Sequence, residues 1–399
     1  MSNDLDAFRA RCRTFLEAHA TGISVNEAED PRHELTHREC IVFQQAVAEA
    51  GLAGLTYPVE YGGQGLSDEH QRIWRDEASN FPLMTRTLSI SHGMCLPMLN
   101  EYGSDAQRQA HQADLISANQ VWCQMFSEPG AGSDVASLQM RAVRDGDEWI
   151  INGQKVWTTL AHVADRGIVI ARTDLDQPKH RGISMFIIDM KAPGVEVRPI
   201  NQIDGGMRFN EVYLTDVRVP ATDQVGELNQ GWRLATAMLM YERVAIGSGQ
   251  LGGVQHVRSD KLIRAANKRD RLADPVIRQS LMKMYSAEVC QSLVAMRTRA
   301  ELQAGKTPGP GGSLGKLAGA RIAAMYRDLS LTVIGAGAVA GEDNGRWSTE
   351  ALTTLASGIA GGTNEIQKNI IGERVLGLPR EPSVDKDLPF KELMVGTQR

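Results

Sequence analysis

The spacing of hydrophobic and polar positions divides the chain into three parts. From residue 1 to about 118 the apolar residues recur with a helical period, beginning with an amphipathic N-terminal stretch. The glycine- and proline-bearing segment TYPVEYGGQG (56–65) and a turn at Gly103 and Ser104 interrupt this pattern. We therefore expect an N-terminal helical domain over residues 1–118.

Around residue 120 the pattern changes to that of β-strands. The stretch EWIINGQKVWTT (148–159) predicts a hairpin, with Asn152 and Gly153 as a type I′ turn between two runs rich in β-branched and aromatic residues. The segments RGIVIART, ISMFIID, VEVRPI and NEVYLTDVRV continue the strand pattern as far as Pro220. A central β domain, a barrel or sandwich, is expected over residues 119–230.

The helical period returns at Trp232 and is interrupted at TPGPGGSLG (307–315) and IGAGAVAGEDNG (334–345). This pattern predicts a C-terminal helical bundle over residues 231–382, followed by a charged and loose tail over 383–399. The fold class is therefore α+β, in the order helix, sheet, helix.

Composition and charge narrow the classes of function. The chain has 399 residues, of which 42% are hydrophobic and 23% charged, as in an ordinary globular protein. The net charge of −5 disfavours a nucleic-acid partner. No run of apolar residues approaches a membrane span, and the N-terminus does not resemble a signal peptide, so a cytoplasmic location is expected. The five cysteines never form CxxC, which gives no indication of a disulfide framework or a thiolate metal site.

The stretch MLMYERVAIG (238–247) places Glu242 and Arg243 within an apolar run. At helical spacing Glu242 shares its face with hydrophobic residues such as Ala235 and Met238. Burial raises the pKa of a carboxyl group, which suits a general base acting near neutrality. A structural ion pair or an interface glutamate is the alternative.

Other short motifs are weaker. HELTH (33–37) has the HExxH form of a zinc site, but it follows a polar stretch, and no third ligand is evident, so we expect no metal. The glycine-rich segments GAGSD (130–134) and GAGAVAG (335–341) lack the lysine of a P-loop, and the second also lacks the strand that precedes a dinucleotide fingerprint.

The segment IAGGTNEIQKNIIGERVLGLPRE (359–381) predicts a helix. Gly361 and Gly362 precede a capping pattern formed by Asn364 and Gln367, and Gly377 marks the end of the helix. Free N–H groups at such an N-terminus favour an electron-rich or anionic ligand, although the segment is equally compatible with a plain helix start.

Several of these segments together resemble acyl-CoA dehydrogenases. The motifs that carry the resemblance occur in the family's order and span nearly the whole chain: QMFSEPGAGSD (124–134), KVWTT (155–159), NEVYLTDVRVP (210–220), GWRLATAMLMYERVAIG (231–247) and GGTNEIQKNIIGERVLG (361–377). The resemblance implies an N-terminal helical domain, a central β domain and a C-terminal four-helix bundle. It also implies FAD bound between domains and across the subunits of a tetramer.

The resemblance assigns roles to particular residues. Ser127 would offer its hydroxyl to the polar edge of the isoalloxazine ring, and Arg271 would reach FAD of the neighbouring subunit, although KRDRLADPVIRQ lacks the RxxFG form common in the family. The complete set of expected FAD contacts is Gln124, Phe126, Ser127, Trp157, Thr159, Arg271, Gln279, Thr332, Gly335, Ala336, Thr363 and Glu365. The expected contacts of the CoA ester are Ser133, Arg243, Gly361 and Gly362.

The resemblance also bears on the catalytic base. Many members carry a glutamate immediately before the Gly-Thr pair, where this chain has Gly361. A subset similar to the long-chain and isovaleryl enzymes supplies the base from the first helix of the C-terminal bundle, in an ER pair that Glu242 and Arg243 match. Glu242 would then remove the α-proton while the β-hydrogen leaves as hydride to flavin N5. The product would be a trans-2-enoyl-CoA, as in fatty acid β-oxidation, and the electrons would pass to an electron-transferring flavoprotein.

Two other functions remain open on the sequence. A flavin oxidase or monooxygenase on the same scaffold would need no CoA site. A non-catalytic subunit of a heteromeric dehydrogenase would be compatible with Gly361 but not with Glu242. A homotetramer is expected, with a heterotetramer as the alternative. The sequence does not determine the length or branching of the acyl chain, or whether it is a steroid side chain. Glycines at the position where many members carry the acid favour a wide cavity for branched or bulky acyl groups.

Overall fold

The order of helix, sheet and helix is confirmed by the computed structural model, which describes residues 2–20, 37–81, 86–247, 258–303, 311–380, 382 and 386–393. The helices of the N-terminal part are α1 (Ser2–His19), α2 (His37–Glu49), α3 (Asp68–Ala78), α4 (Leu96–Tyr102) and α5 (Asp105–Ser117). The predicted turn at residues 103–104 is confirmed, because Ser104 caps α5 in a capping box with Gln107.

The central part is one sheet. Its strands are β1 (Trp122–Met125), β2 (Arg141–Asp145), β3 (Glu148–Thr159), β4 (Arg166–Arg172), β5 (Ile183–Asp189), β6 (Val195–Pro199), β7 (Phe209–Pro220) and β8 (Gln224–Val225). They lie in the order β6-β7-β3-β2-β4-β5-β8, and β1 pairs with β4 in parallel. Strands β4 and β5 are buried almost throughout, because one face packs on the helices and the other on the interior of the β domain.

The predicted hairpin turn at Asn152 and Gly153 is wrong. Strand β3 continues through both residues, and the turn lies earlier, at Gly146, which has φ +61°. A shift in the pairing of β3 with β7 occurs at this point, and the Asn152 amide donates to the Asp216 carboxylate. Glycine is required at 153 because a Cβ there would lie 2.9 Å from the Cα of Met140. The Asn-Gly pair therefore marks an irregularity in a strand.

The C-terminal part is helical, as predicted. Its helices are α6 (Gly231–Gly247), α7 (Ser259–Lys268), α8 (Pro275–Gln303), α9 (Gly312–Ile334), α10 (Ala336–Val339), α11 (Arg346–Thr353) and α12 (Asn364–Ile370). The interruption predicted at 334–345 is confirmed, since α9 ends before Gly335, which has φ +65°. The interruption at 307–315 is only partly tested, because α9 begins at Gly312 and residues 304–310 lie outside the described ranges.

Helix α6 connects the three parts. Its buried residues Leu234, Ala235 and Met238 belong to a core that also contains residues of the N-terminal helices and of β4 and β5. The same helix packs against α4, α9 and the helical segment Ser91–Cys95 that precedes α4. The helix that carries the predicted base is therefore held by all three parts of the fold.

The prediction of a loose tail is wrong for residues 386–393. Phe390 is buried, and its N–H donates to the carbonyl oxygen of Gln177, at 2.9 Å. Lys391 pairs with Asp176 through its ammonium group, at 2.5 Å. A buried aromatic ring, backbone hydrogen bonds and an ion pair together fix this part of the tail on the β domain.

Candidate functional site

The segment expected to contact the flavin is fixed by a buried ion pair. Lys155, on β3, is completely buried, and its Nζ lies 2.8 Å from Oε1 of Glu128 and 3.0 Å from the carbonyl oxygen of Phe126. Glu128 also accepts the backbone N–H groups of Gln139 and Met140, at 2.7 and 3.0 Å. Burial lowers the pKa of Lys155. The ion pair thus ties the loop that follows β1 to the middle of β3.

Trp157 stands two residues farther along β3, on the outside of the domain. Its side chain is 59% exposed, and its backbone has φ +61°, in the left-handed region. Its ring meets Phe209 edge to face, with centroids 6.1 Å apart. An exposed tryptophan with a strained backbone is costly to the isolated chain, which favours a functional reason for its position.

The surroundings of Trp157 hold this strained position. The N–H of Val156 donates to the carbonyl oxygen of Ser127, at 2.9 Å, so the loop after β1 is joined to the end of β3. Asn210, which is buried, donates its amide to the carbonyl oxygen of Thr158, at 2.9 Å. Ser127 and Thr159 are half-buried, and their hydroxyl groups lie on the two segments that these bonds join.

The other members of the predicted β-domain set differ in exposure. Gln124 is half-buried on β1, whereas the ring of Phe126 is 5% exposed and packs in the core beside α6. A flavin at this site would therefore meet Phe126 mainly through its backbone. Ser133 is exposed and lies next to Asp134, whose carboxylate is 3.2 Å from the ammonium group of Lys179.

Residues expected to serve a neighbouring subunit meet at one end of the bundle. The guanidinium of Arg271 donates to the carbonyl oxygen of Thr332, at 3.3 Å. Gly335 and Ala336 follow at the end of α9, and Gln279 lies on α8; all of these residues are exposed. The structure brings Arg271 and Thr332 together, and it leaves all five of these predicted FAD contacts exposed to solvent.

The start of α12 departs from the predicted cap. The N-cap is Thr363, whose hydroxyl accepts the N–H of Ile366, so Asn364 is already the first helical residue. Gly361 and Gly362 have φ +66° and +83°, and the buried amide of Gln367 donates to the carbonyl oxygen of Gly361. Glu365 is exposed in the first turn. Glycine is favoured at both positions, because residues with a side chain rarely adopt such positive φ values.

The residues around Trp157 fit an isoalloxazine ring. The exposed indole offers an apolar face, and Ser127, Thr159 and Gln124 supply hydroxyl and amide groups on the adjoining segments. The strained Trp157 backbone, held by paired neighbours, is the observation of this structure that favours a bound ring there.

A cavity of about 800 Å³ lies between the N-terminal half of α6 and the loop that joins β4 to β5. Its wall combines apolar surface from Trp232 and Met240 with cationic groups, Arg181 and Arg233. His180 also borders it, with its ring edge to face on Trp232. The cavity suits a ligand that carries both apolar and anionic groups.

The predicted catalytic pair lies on the helix that walls this cavity. Glu242 and Arg243 belong to α6, as the sequence predicted, but their side chains lie outside the described residues. At helical spacing position 242 follows the buried Ala235 and Met238, whereas the cavity is bordered by Arg233 and Met240 and their neighbours.

Sequence reasoning missed several residues of this region. Glu128 and Lys155 stood inside the quoted motifs, but only the fold shows that they pair across 27 positions of the chain. His180, Arg181 and Arg233 lacked any motif. A lysine on a buried strand needs a partner, but nothing in KVWTT indicates that Lys155 is buried.

Neither metal nor membrane features are found among the described residues. No group of three or more His, Cys, Asp or Glu side chains in them is placed to hold a metal ion, and most of HELTH, residues 33–36, lies outside them. No helix in the described ranges is long and apolar enough to cross a membrane.

Comparison with known proteins places these features in a family. Residues 2–119, 123–217 and 229–376 match the N-terminal, middle and C-terminal domains of acyl-CoA dehydrogenases. The chain is 36% identical to the acyl-CoA dehydrogenase IpdE1 of Mycobacterium tuberculosis, over 95% of this chain and 99% of that protein.

Solved structures share the fold. The ChsE4-ChsE5 complex from Mycobacterium tuberculosis superposes with a TM-score of 0.75 at 30% identity, covering 95% of this chain and 98% of that chain. The steroid ACAD Tcur3481-Tcur3483 superposes with a TM-score of 0.77 at 28% identity, over 95% and 98%.

Proposed function

The chain belongs to the acyl-CoA dehydrogenase family, whose members use FAD, and we propose that it converts a CoA thioester to its trans-2-enoyl-CoA with Glu242 as the base. The observation that carries the proposal is the position of α6, which walls the 800 Å³ cavity on one side and carries Glu242 two residues beyond the last cavity-lining residue, Met240. Substrate and base would thus be placed by one rigid element.

The cavity fits the CoA part of such a substrate. Trp232 and Met240 offer an apolar surface for a pantetheine chain, and Arg181 and Arg233 offer positive charge to phosphate groups. Arg243, three residues beyond Met240 on α6, would extend this positive surface toward the thioester. Ser133 lies on the segment whose Asp134 is tied to the β4–β5 loop, so it would approach the ligand from the opposite side.

The chemistry requires a base and an acceptor. The α-hydrogen of a thioester is weakly acidic, so a base that acts on it must be poised near neutrality, and an apolar helix face raises a glutamate pKa toward that range. Bound FAD supplies the redox chemistry by accepting the β-hydrogen with its electron pair. Ser127, Trp157 and Thr159 would orient the ring, and Glu242 would take the proton at Cα. An electron-transferring flavoprotein is the proposed final acceptor.

We further propose a bulky or branched acyl group. The family resemblance aligns Gly361 with the acid that many members carry before their Gly-Thr pair, so a side chain would be missing from one wall of the substrate site. The relative Tcur3481-Tcur3483, at 28% identity, is named a steroid ACAD, which supports a large substrate for this chain as well. A panel of acyl-CoA esters of graded size, assayed with an artificial acceptor, tests this point; preference for short straight chains would contradict it.

An oligomer is part of the proposal. Helix α8 exposes a stripe of apolar side chains at helical spacing: Met282, Tyr285, Val289, Leu293 and Met296. A solvated helix rarely carries such a stripe, so we propose that it packs on another subunit. A homotetramer accounts for the exposed FAD residues near Arg271, and a heterotetramer is supported by the relative described as a ChsE4-ChsE5 complex. The mass of the purified chain, alone and with candidate partner chains, distinguishes the two.

Replacement of the base tests the proposed function most directly. Glu242→Gln removes the charge and keeps the shape, so we expect it to fold, retain FAD and bind acyl-CoA. Flavin reduction in a single turnover should slow by about a hundredfold or more, the usual contribution of a general base. Reduction at the parent rate would contradict the assignment of Glu242.

A further inference from the structure

The C-terminal segment of residues 386–393, here called the strap, is attached to the β4–β5 loop (residues 173–182). The N–H groups of Phe390 and Lys391 donate to the carbonyl oxygens of Gln177 and Leu175, at 2.9 and 3.1 Å, and Pro389 bridges to Pro178 in antiparallel fashion. The strap therefore adds a short strand-like edge to this loop.

A buried arginine joins the strap to the loop. The ring of Phe390 is 6% exposed and covers the guanidinium of Arg172, with 3.7 Å from Cζ to the ring centroid. Arg172 is itself 2% exposed and donates to the carbonyl oxygens of Lys179, in the loop, and Ala136, at 2.7 and 2.6 Å. Without Phe390, one face of this cation would be open to water.

The same loop also borders the cavity. Gln177, His180 and Arg181 line it, and Gln177 is also the residue whose carbonyl oxygen accepts the Phe390 N–H. At the base of the loop, the hydroxyl of Thr173 lies 2.6 Å from the side-chain oxygen of Asn229, a cavity residue just before α6. The loop is thus bonded to the strap and to Asn229, and it also lines the cavity.

We propose that the strap positions the β4–β5 loop for binding the CoA part of the substrate, with Phe390 as the positioning residue. This inference rests on the proposed function, because it takes the cavity as the CoA site. A loop held in its binding conformation loses less conformational entropy when the ligand binds, so the strap raises affinity without touching the ligand. The proposed base and the residues around Trp157 lie on other segments, so the rate of the chemical step is not affected.

Two variants test the strap. One ends the chain after Lys386, and the other is Phe390→Leu, which keeps apolar volume but loses the aromatic face over Arg172. Leu388→Ala is the matched control, since Leu388 lies in the same segment and is 43% exposed. The probe is CoA itself, titrated by calorimetry into the FAD-loaded protein. KM and kcat with an acyl-CoA, FAD content and melting temperature are measured on the same preparations.

We expect both strap variants to bind CoA about three- to tenfold more weakly, the range of a desolvated cation–aromatic contact, and KM to rise with kcat and FAD content unchanged. Leu388→Ala should match the parent. Parent affinity in Phe390→Leu would overturn the inference, as would an equal loss of kcat and FAD content, which would indicate a purely structural role. If the truncated chain does not fold, Phe390→Leu decides.

A cavity variant separates this inference from the proposed function. Arg233→Gln removes a cation from the cavity and does not touch the strap. If Arg233→Gln weakens CoA binding while the strap variants do not, only the strap inference fails. If Arg233→Gln also binds CoA like the parent, the cavity is not the CoA site, and both the site proposal and the inference fail.

Discussion

Lys155 and Glu128 form an ion pair inside the β domain, with 2.8 Å between Nζ and Oε1 and with both side chains nearly inaccessible to water. The pair joins the strand that carries Trp157 to the loop that carries Ser127. A charge at such a depth is tolerated only while its partner is present. The position of the proposed flavin site therefore depends on two residues that need not touch the flavin.

Removal of one partner of this pair is expected to be costly. Lys155→Met leaves the carboxylate of Glu128 buried with only backbone donors, which should lower the free energy of unfolding by about 3–5 kcal/mol. The double variant Lys155→Met with Glu128→Gln should be less destabilised than Lys155→Met alone, because no unpaired charge remains. Denaturant unfolding of the FAD-free protein measures both, and additive losses in the double variant would show that the two residues are not coupled.

Trp157 is expected to matter for the cofactor more than for the fold. Because its side chain is 59% exposed, Trp157→Ala should change the stability of the FAD-free protein by no more than about 0.5 kcal/mol. FAD should nevertheless dissociate more readily, which flavin fluorescence on dilution measures. Trp157→Gly serves as a control for backbone strain, since glycine relieves the cost of φ +61°, about 1–2 kcal/mol, and should stabilise the FAD-free form. Parent-like FAD retention in both variants would contradict a flavin contact.

Acid should destabilise the protein in part through His92. This residue lies in the helical segment Ser91–Cys95 that packs against α6, and its Nε2 lies 2.8 Å from the carbonyl oxygen of Leu115. Burial lowers the pKa of His92 to about 4, below its value of 6.5 in an unfolded chain. Between these values the unfolded chain binds a proton that the folded chain does not. The contribution of His92 is therefore present above pH 6.5 and is lost as the pH falls to about 4, by at most about 3 kcal/mol.

The variant His92→Gln isolates this contribution. Glutamine retains a donor for the Leu115 carbonyl but does not titrate, so the dependence of unfolding free energy on pH should become shallower between pH 6.5 and 4. His111, whose pKa is also lowered by burial, remains in both proteins and accounts for part of the remaining slope. An unchanged slope in His92→Gln would show that this histidine is not responsible.

Moving the proposed base should restore some activity. The variant Glu242→Gly with Gly361→Glu places a carboxylate at the position where the family resemblance implies that many members carry their base. Recovery should be partial, because residue 361 has φ +66°, and a side chain in that conformation costs about 1–2 kcal/mol. The control is Glu242→Gly with Gly361→Gln, which has the same strain and no charge. Flavin reduction by acyl-CoA in a single turnover compares the two, and equal rates would argue against a base at either position.

The apolar stripe on α8 is expected to hold subunits together. Leu293→Glu places a charge in the middle of the stripe and should lower the mass of the assembly in light scattering. Lys283→Glu is the matched control, since this exposed residue on the same helix carries a charged side chain outside the stripe. An assembly that withstands Leu293→Glu as well as Lys283→Glu would exclude this face as the interface.

The course of the chain from helix to sheet to helix was predictable from the sequence, because the hydrophobic period is a local property. Apolar residues must recur at a regular spacing to keep one side of a helix such as α6 or a strand such as β5 buried. This spacing can be read from the sequence without knowing which segment packs against it. The family resemblance could be recognised for a similar reason, since each motif is a short run of neighbouring residues. Together they determined the fold class and the helix that carries Glu242.

Tertiary structure alone decided the features that depend on distant partners. Asn152 and Gly153 have the local form of a turn, but pairing of β3 with β7 keeps them in a strand. Phe390 stands in a charged tail with no periodicity, and only the presence of Arg172 gives its ring a buried place. Lys155 and Glu128 look like surface residues until the fold buries both. In each case a contact between segments far apart in the chain stabilises the observed conformation. No local sequence pattern predicts which segments will come into contact.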